Sequence, residues 1–374
     1  MLGKRLDVSI KSLSEMEGLL TEWSDLCTRC LEDNVYYTPT YAKALLDTIA
    51  KDEPVKFIAV CDGPKLVALL PVVTVCLTIP IIRPSGLAWM TDYTFGTIPL
   101  IDRTDPAIAA RGLIDGLKML HRGEWLLPAM NIEGPSSMAL IDALDKRGIP
   151  WSKVGRFERA SIEKGRSFED HLSTCISSKR RRDIERCRRR LEEMGEVRHE
   201  VHTAGEGLNQ AVDAFLRLEA SGWKGERGTA LASQPDSKDF ALKVFSDGNS
   251  PLRRRADLLL FDGKPIAAGI IIFSGDTGFT VKGAYDENYA KYSVGLLLEI
   301  EVIKSFLSES WASRLDAATA GDHVIDQLWP YRVPVAGLTF SLSRFAPSFR
   351  LRMFTLTLEL KRQLKEKIKR ILKR

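Results

Sequence analysis

The stretch Gly278–Phe306, GFTVKGAYDENYAKYSVGLLLEIEVIKSF, decides the fold. Phe279 to Ala284 predicts a strand, a short loop follows, and a long helix starts near Val294. The loop Tyr289-Ala290-Lys291-Tyr292-Ser293-Val294-Gly295 therefore sits at a helix N-terminus. Backbone N–H groups are unpaired there and the dipole is positive, so phosphate is held well. Gly295 lets an anion approach closely, and Lys291 or Ser293 can add a contact. A pyrophosphate-bearing donor such as coenzyme A fits this loop. Locally, an ordinary strand–helix junction capped by Ser293 fits equally well.

Working outward, ADLLLFDGKPIAAGIIIF reads as strand, Asp-Gly turn, strand. VKFIAVCDGPKLVALLPVV reads the same way in the first half, and a helix precedes each hairpin. Asp62-Gly63 and Asp262-Gly263 stand 200 residues apart and suggest a duplicated plan. Further helices are predicted over Ser12–Leu31, Thr40–Ala50, Pro106–Arg122 and Leu208–Ala220. The punctuation Gly148-Ile149-Pro150 marks a boundary. The expected architecture is mixed α/β, in two tandem halves with a central mixed sheet flanked by helices. Its expected parts are residues 1–155, 156–355 and a basic amphipathic helical tail, 356–374.

With 374 residues, 44% hydrophobic and 28% charged, the chain is an ordinary globular protein long enough for two domains. The N-terminus has no apolar run of signal-peptide type. Leu66 to Ile82 is apolar but short and interrupted by Pro71 and Pro80, so a pair of buried strands is expected rather than a membrane span. The expected location is cytoplasmic, with peripheral association at an inner membrane face as an option. Cys27 and Cys30 form a CxxC without a second pair or His cluster at zinc spacing, so free thiols and no metal are expected.

Of the net charge of +5, the tail Glu359–Arg374 supplies +6, from eight Lys or Arg and two Glu, which leaves −1 for the rest. That tail reads as an amphipathic basic helix. It either lies on an anionic membrane surface through 358–374 or packs on the body. Ser177–Gly195, SSKRRRDIERCRRRLEEMG, is a second basic helix. It is a solvated helix, a contact for an anionic substrate or coenzyme phosphate, or a tRNA phosphate contact.

Strand, small-residue loop and helix in this order resemble the acyl-CoA site of GNAT acyltransferases. FLRLEASGWKGERGTAL, Phe215–Leu231, resembles a hallmark of the CelD/BcsL type within that superfamily, associated with cellulose and exopolysaccharide synthesis and related in fold to the FemAB transferases. The matching residues are Glu219, Ser221, Trp223, Lys224, Gly225, Gly228 and Thr229. The resemblance spans roughly residues 20–345. It implies transfer of an acetyl or longer acyl group from acyl-CoA to an amine or hydroxyl of a sugar or cell-envelope polysaccharide precursor. It implies donor contacts at Lys291, Tyr292, Ser293, Val294 and Gly295, and acceptor contacts at Glu219, Trp223 and Lys224. FemAB relatives use aminoacyl-tRNA, so a tRNA-borne donor is the alternative. A non-catalytic module binding nucleic acid or membrane is another.

Acyl transfer needs a base for the acceptor's proton and a proton for the departing thiolate. Asp316, at the end of a predicted strand Ala312–Ala317, is the first candidate base and His323 the next; Tyr285 or Tyr292 can protonate the thiolate. The region LDAATAGDHVIDQLW departs from the family pattern: Ile325 and Asp326 stand where relatives carry Tyr and Lys. No Gly-x-Ser-x-Gly elbow, dinucleotide fingerprint or Walker A is present.

Overall fold

The computed structural model describes residues 6–75, 85–248, 250–319 and 324–372. In chain order the strands are β1 (Asp7–Lys11), β2 (Lys56–Asp62), β3 (Lys65–Val75), β4 (Ser85–Ala88), β5 (Leu100–Ile101), β6 (Glu124–Asn131), β7 (Trp151–Glu163), β8 (Val197–His202), β9 (Arg254–Phe261), β10 (Lys264–Ser274), β11 (Thr277–Tyr285), β12 (Arg314–Asp316) and β13 (Tyr331–Ser341). The helices are α1 (Leu13–Met16), α2 (Leu20–Arg29), α3 (Pro39–Leu46), α4 (Pro106–Leu120), α5 (Pro135–Asp145), α6 (Phe168–Cys175), α7 (Ser178–Glu192), α8 (Gly205–Ser221), α9 (Trp223–Glu226), α10 (Pro235–Phe245), α11 (Val294–Ser308) and α12 (Pro347–Leu372).

The chain forms two compact units, each made of separated segments. Unit 1 is residues 1–39, 52–158 and 334–374; unit 2 is 40–51 and 159–333. Each is a mixed sheet flanked by helices. The sheet of unit 1 runs β1-β2-β3-β4-β6-β13, and that of unit 2 runs β8-β9-β10-β11-β12-β7. The two orders correspond strand for strand. In both, an antiparallel hairpin (β2–β3, β9–β10) leads to a strand paired parallel with the next (β4–β6, β11–β12). Parallel neighbours need a crossover, and α4 and α11 supply it. This repeat is much stronger than the single matched hairpin in the sequence.

The closing strand of each sheet is exchanged along the chain. β13, near the C-terminus, pairs antiparallel with β6 in unit 1. The end of β7, from the first half of the sequence, pairs antiparallel with β12 in unit 2. The expected cuts at 155 and 355 therefore differ from the observed division: the chain leaves unit 2 at Val333, because β13 hydrogen-bonds to β6. Residues 40–51 also belong to unit 2. Tyr41 stacks edge-on against Phe240 at 5.3 Å, and the Thr40 and Ser250 hydroxyls are 2.6 Å apart.

Local chemistry explains the other differences. The helix expected over Ser12–Leu31 is broken: α1 is followed by a 3-10 turn, Glu17–Leu19, and α2 starts after Leu19 leaves helical geometry at φ −121°. The two Asp-Gly hairpins differ by one residue. Phe261↔Lys264 bracket Asp262-Gly263, both at positive φ (46° and 74°), the twist-matched two-residue turn. Asp62↔Lys65 instead bracket Gly63-Pro64, because proline locks φ negative and leaves only Gly63 at +60°. The apolar run from Leu66 lies in β3 as far as Val75; residues 76–84 are outside the described residues. Cys27 and Cys30 are free, and burial pushes both thiols up, Cys30 to about 12.

The core of unit 2 sits between α11 and its sheet. Val294, Leu297, Ile303 and Phe306 from the helix meet Leu259, Ile271 and Leu315 from the strands, with Trp329 beside them. A helix buried this thoroughly fixes where its N-terminus points.

Candidate active site

The site grows from β11. Its pairing with β10 slips between Ile270 and Ile271, whose partners are Lys282 and Thr280, so Val281 is an extra, bulged residue. A bulge bends its strand and locally raises the twist. Pairing of β11 with its parallel neighbour β12 runs from Thr277↔Arg314 only to Phe279↔Asp316 and stops short of the bulge. β11 continues to Tyr285, while β12 ends at Asp316 and the chain turns away through Ala318 at φ +49°. The C-terminal ends of these two parallel strands therefore part, which is where open α/β sheets hold ligands.

α11 starts beside that opening. A 3-10 turn, Glu287–Tyr292, carries the chain from β11 to Ser293, which takes a left-handed conformation (φ 52°, ψ 43°). A non-glycine residue there stores strain of about 1 kcal/mol or more. Ser293 makes no side-chain cap; its carbonyl accepts from Leu296 and Leu297, so the amides of Val294 and Gly295 precede the helical ladder. Its unit 1 counterpart differs: Asp105 caps α4 by accepting from Ile108 N–H at 3.1 Å, with Pro106 next. An anion at α4 would meet a carboxylate, whereas one at α11 would meet none in that position.

The five residues expected to contact a donor differ in their settings. Val294 is fully buried. Gly295 lies under the ring of Tyr285: a Cβ there would come within 3.3 Å of Tyr285 Cδ1. Lys291 is exposed, with Nζ 5.0 Å from the Tyr292 ring centre, and Tyr292 Oη donates to Met194 Sδ at 3.1 Å. That last contact sets the loop against the end of the basic stretch. Along α7 itself, Arg188 pairs with Glu301 of α11, while Lys179, Arg182, Arg186, Arg189 and Arg190 are exposed.

The α8–α9 corner supplies the other side. Glu219 is buried on the last turn of α8. Its Oε2 accepts from Leu231 N–H at 2.8 Å, and its Oε1 from Lys224 Nζ at 2.9 Å. Lys282 Nζ, from β11, stands 3.9 Å from the same Oε1. Trp223 is half exposed, with the Arg227 guanidinium 5.2 Å over its ring. Glu287 Oε1 accepts the Trp223 N–H at 2.9 Å, which ties the end of β11 to this corner. The structure thus brings Glu219, Trp223 and Lys224 together with Lys282 and Glu287. Tyr285 lies between these two on β11's continuation.

Sequence reasoning missed Lys282. The bulge at Val281, not simple alternation, sets the side on which Lys282 emerges, and nothing in GFTVKGAY announces a bulge. Its ammonium is held below the ordinary lysine value: partial burial is the main cause, Glu219 opposes it, and the like charge of Lys224 adds to it. A lysine shifted this way beside an opening is suited to accept a proton.

Asp316 is buried at the end of β12. Its carboxylate accepts from Ala318 N–H at 2.8 Å and lies 3.6 Å from Arg159 Nη1, while Arg159 Nε donates to the Thr319 carbonyl. The carboxylate is engaged in holding the turn that carries β12 away. His323 lies outside the described residues. Among the described residues no His, Cys, Asp and Glu group could hold a metal.

Residues 178–323 match the family model for the acetyltransferase (GNAT) domain, which runs from α7 across the whole site. No curated protein matches the chain. A solved protein of unknown function from Bacteroides thetaiotaomicron VPI-5482 is similar with TM-score 0.53 at 10% identity, over 90% of this chain and 100% of the other. The C-terminal domain (DUF2156) of a protein from Agrobacterium fabrum, described as a lysylphosphatidylglycerol synthetase, gives 0.52 at 13% identity, over 93% and 96%. FemX gives 0.49 at 8%, over 90% and 96%. At these identities the first two likenesses are ones of fold. The parted strands and the uncapped helix start both lie inside residues 178–323, the region that matches the GNAT acetyltransferase model.

Proposed function

We propose that the chain is an acyltransferase that draws an acetyl or longer acyl group from acyl-CoA and passes it to an amine or hydroxyl of a sugar or cell-envelope polysaccharide precursor, as in the CelD/BcsL type. The carrying observation is the uncapped, strained start of α11 beside the parted ends of β11 and β12. The amide of Gly295 takes a donor phosphate, and Lys291 adds a positive charge. Lys282, in its neutral form, accepts the proton of the acceptor's nucleophile as the new C–N or C–O bond forms. Tyr285, over Gly295, gives a proton to the thiolate as the C–S bond breaks. Glu219 and Lys224 set the charge around Lys282, and Trp223 offers an exposed face on which a sugar ring stacks. Asp316 positions the end of β12.

Calorimetric titration of acetyl-CoA, longer acyl-CoAs and free CoA tests this reading, with Gly295→Glu as control. Saturable binding, lost in the control, is expected. Absence of binding by any thioester would remove the reading.

A second reading is favoured by the exposed basic face of α7 near the donor loop: a donor carried on tRNA, as in FemAB relatives. Binding of tRNA with a steep salt dependence, lost on neutralising Arg182, Arg189 and Arg190, would support it. A non-catalytic module on the same scaffold would bind its partner yet transfer nothing.

A further inference from the structure

α12 has two apolar faces. The helix begins at Pro347, well before the expected tail at 356, and is anchored in unit 1. Arg350 donates to both oxygens of the buried Glu124 at 2.7 and 2.8 Å, and Leu351 and Phe354 are buried. At about 100° per residue, Phe349, Met353, Leu356, Leu360, Leu364 and Ile368 fall within an arc of about 120° whose centre lies about 130° round the helix from that of Leu351 and Phe354. All six are exposed: Phe349 is 66% accessible, Leu360 57% and Leu364 59%. Phe345, just before the helix, is 83% accessible. An apolar stripe of this length on a single helix is not ordinary surface.

Its charge identifies the partner. Arg352, Lys361, Arg362, Lys365 and Lys367 are exposed around the stripe, and Glu359 and Glu366 are the acidic residues of the helix. A second copy of so basic a helix would bring like charges together. A nucleic acid would satisfy the charges and leave the stripe in water. A surface that takes both is an anionic lipid headgroup layer over acyl chains. Among the described residues no helix is long and apolar enough to cross a membrane, so the helix would lie in the interface.

We propose that α12 is an in-plane membrane anchor: the stripe from Phe345 to Ile368 sinks into the headgroup boundary of an anionic leaflet, with its lysines and arginines on the lipid phosphates. This is independent of the donor and acceptor assigned above.

The test is co-sedimentation of the full chain with vesicles of phosphatidylcholine alone and of phosphatidylcholine with phosphatidylglycerol. Binding is expected with the anionic vesicles, at least tenfold stronger than with neutral ones and weakened by salt. The double variant Leu360→Ser, Leu364→Ser should lose binding by tenfold or more with an unchanged melting temperature, since both side chains are exposed. Leu360→Phe, Leu364→Phe should keep it. Lys361→Gln with Lys365→Gln should weaken binding to the anionic vesicles only. Failure to bind anionic vesicles would overturn the proposal, as would binding indifferent to the serine pair. A concentration-dependent dimer in solution that the serine pair abolishes would overturn it in favour of a second copy.

Discussion

Glu287 Oε1 accepts the backbone N–H of Trp223 at 2.9 Å, across 64 residues of chain. One carboxylate thus links the turn before α11, where the donor is proposed, to the corner proposed for the acceptor. Gly222 is part of the same fit, because a Cβ there would stand 3.1 Å from that oxygen.

Glu287→Gln keeps the shape of this link and weakens it. The bond is exposed, so stability should fall by no more than about 1 kcal/mol. The acceptor KM should rise severalfold with kcat little changed, because Trp223 loses its register. Steady-state kinetics with the acceptor varied at saturating donor read this directly; an unchanged KM counts against the link.

Gly225 sits where any side chain collides with the preceding helix, since a Cβ would lie 1.7 Å from the Ala220 carbonyl. Gly225→Ala should therefore cost about 2–4 kcal/mol and shift Trp223 and Lys224. Gly228→Ala is the comparison. There φ is +67° with open space, so only about 1–2 kcal/mol is expected. Urea unfolding of the two variants checks the order.

The activity should rise with pH through the depressed titration of Lys282, whose neutral form takes the proton. Lys224→Gln removes the charge that pushes this group down, so the rising limb should move to higher pH. Glu219→Gln removes the charge that pushes it up, so the limb should move to lower pH. Lys282→Met should lose at least about a hundredfold in kcat, the usual scale of general-base catalysis. Binding of the donor should survive. A pH profile unmoved by either neighbour would exclude Lys282 as the base.

Glu299, on α11, accepts from Trp329 Nε1 at 2.8 Å, yet desolvation pushes its carboxyl up to about 8, with the buried charge of Asp257 adding to the rise. A carboxyl that titrates higher in the folded than in the unfolded chain makes its full contribution at acid pH. That contribution is lost as pH rises from the usual carboxylate range to about 8. Glu299→Gln should remove that part of the pH dependence. Urea midpoints of the two proteins should diverge between acid pH and pH 8, in favour of the variant at the alkaline end.

The sequence disclosed β11, the loop and α11 almost to the residue, because a short strand-forming run followed by a long apolar helix is local information. It singled out Glu219, Trp223 and Lys224 as candidates through their resemblance to a known family. It did not disclose Lys282, whose direction depends on a one-residue bulge, or the hold of Arg159 on Asp316, a long-range pairing. The separate plan of the two hairpins was hidden in one proline, Pro64. The assignment of residues 40–51 to unit 2 was hidden for a different reason: an amphipathic helix reveals that it has a core face, not which core receives it.

The exchange of closing strands bears on the order in which the protein can form on a ribosome. Unit 1 has most of its strands by Asn131 but awaits β13, whose last residue is Ser341. Unit 2 does not wait for its closing strand, since β7 is made before β8–β12. The half made first is therefore finished last. Until Ser341 emerges, β6 has an open edge, the side of a sheet most prone to pair with a stranger. Neither contiguous half of the gene encodes a complete folding unit, so expression of either half alone should yield an aggregating fragment.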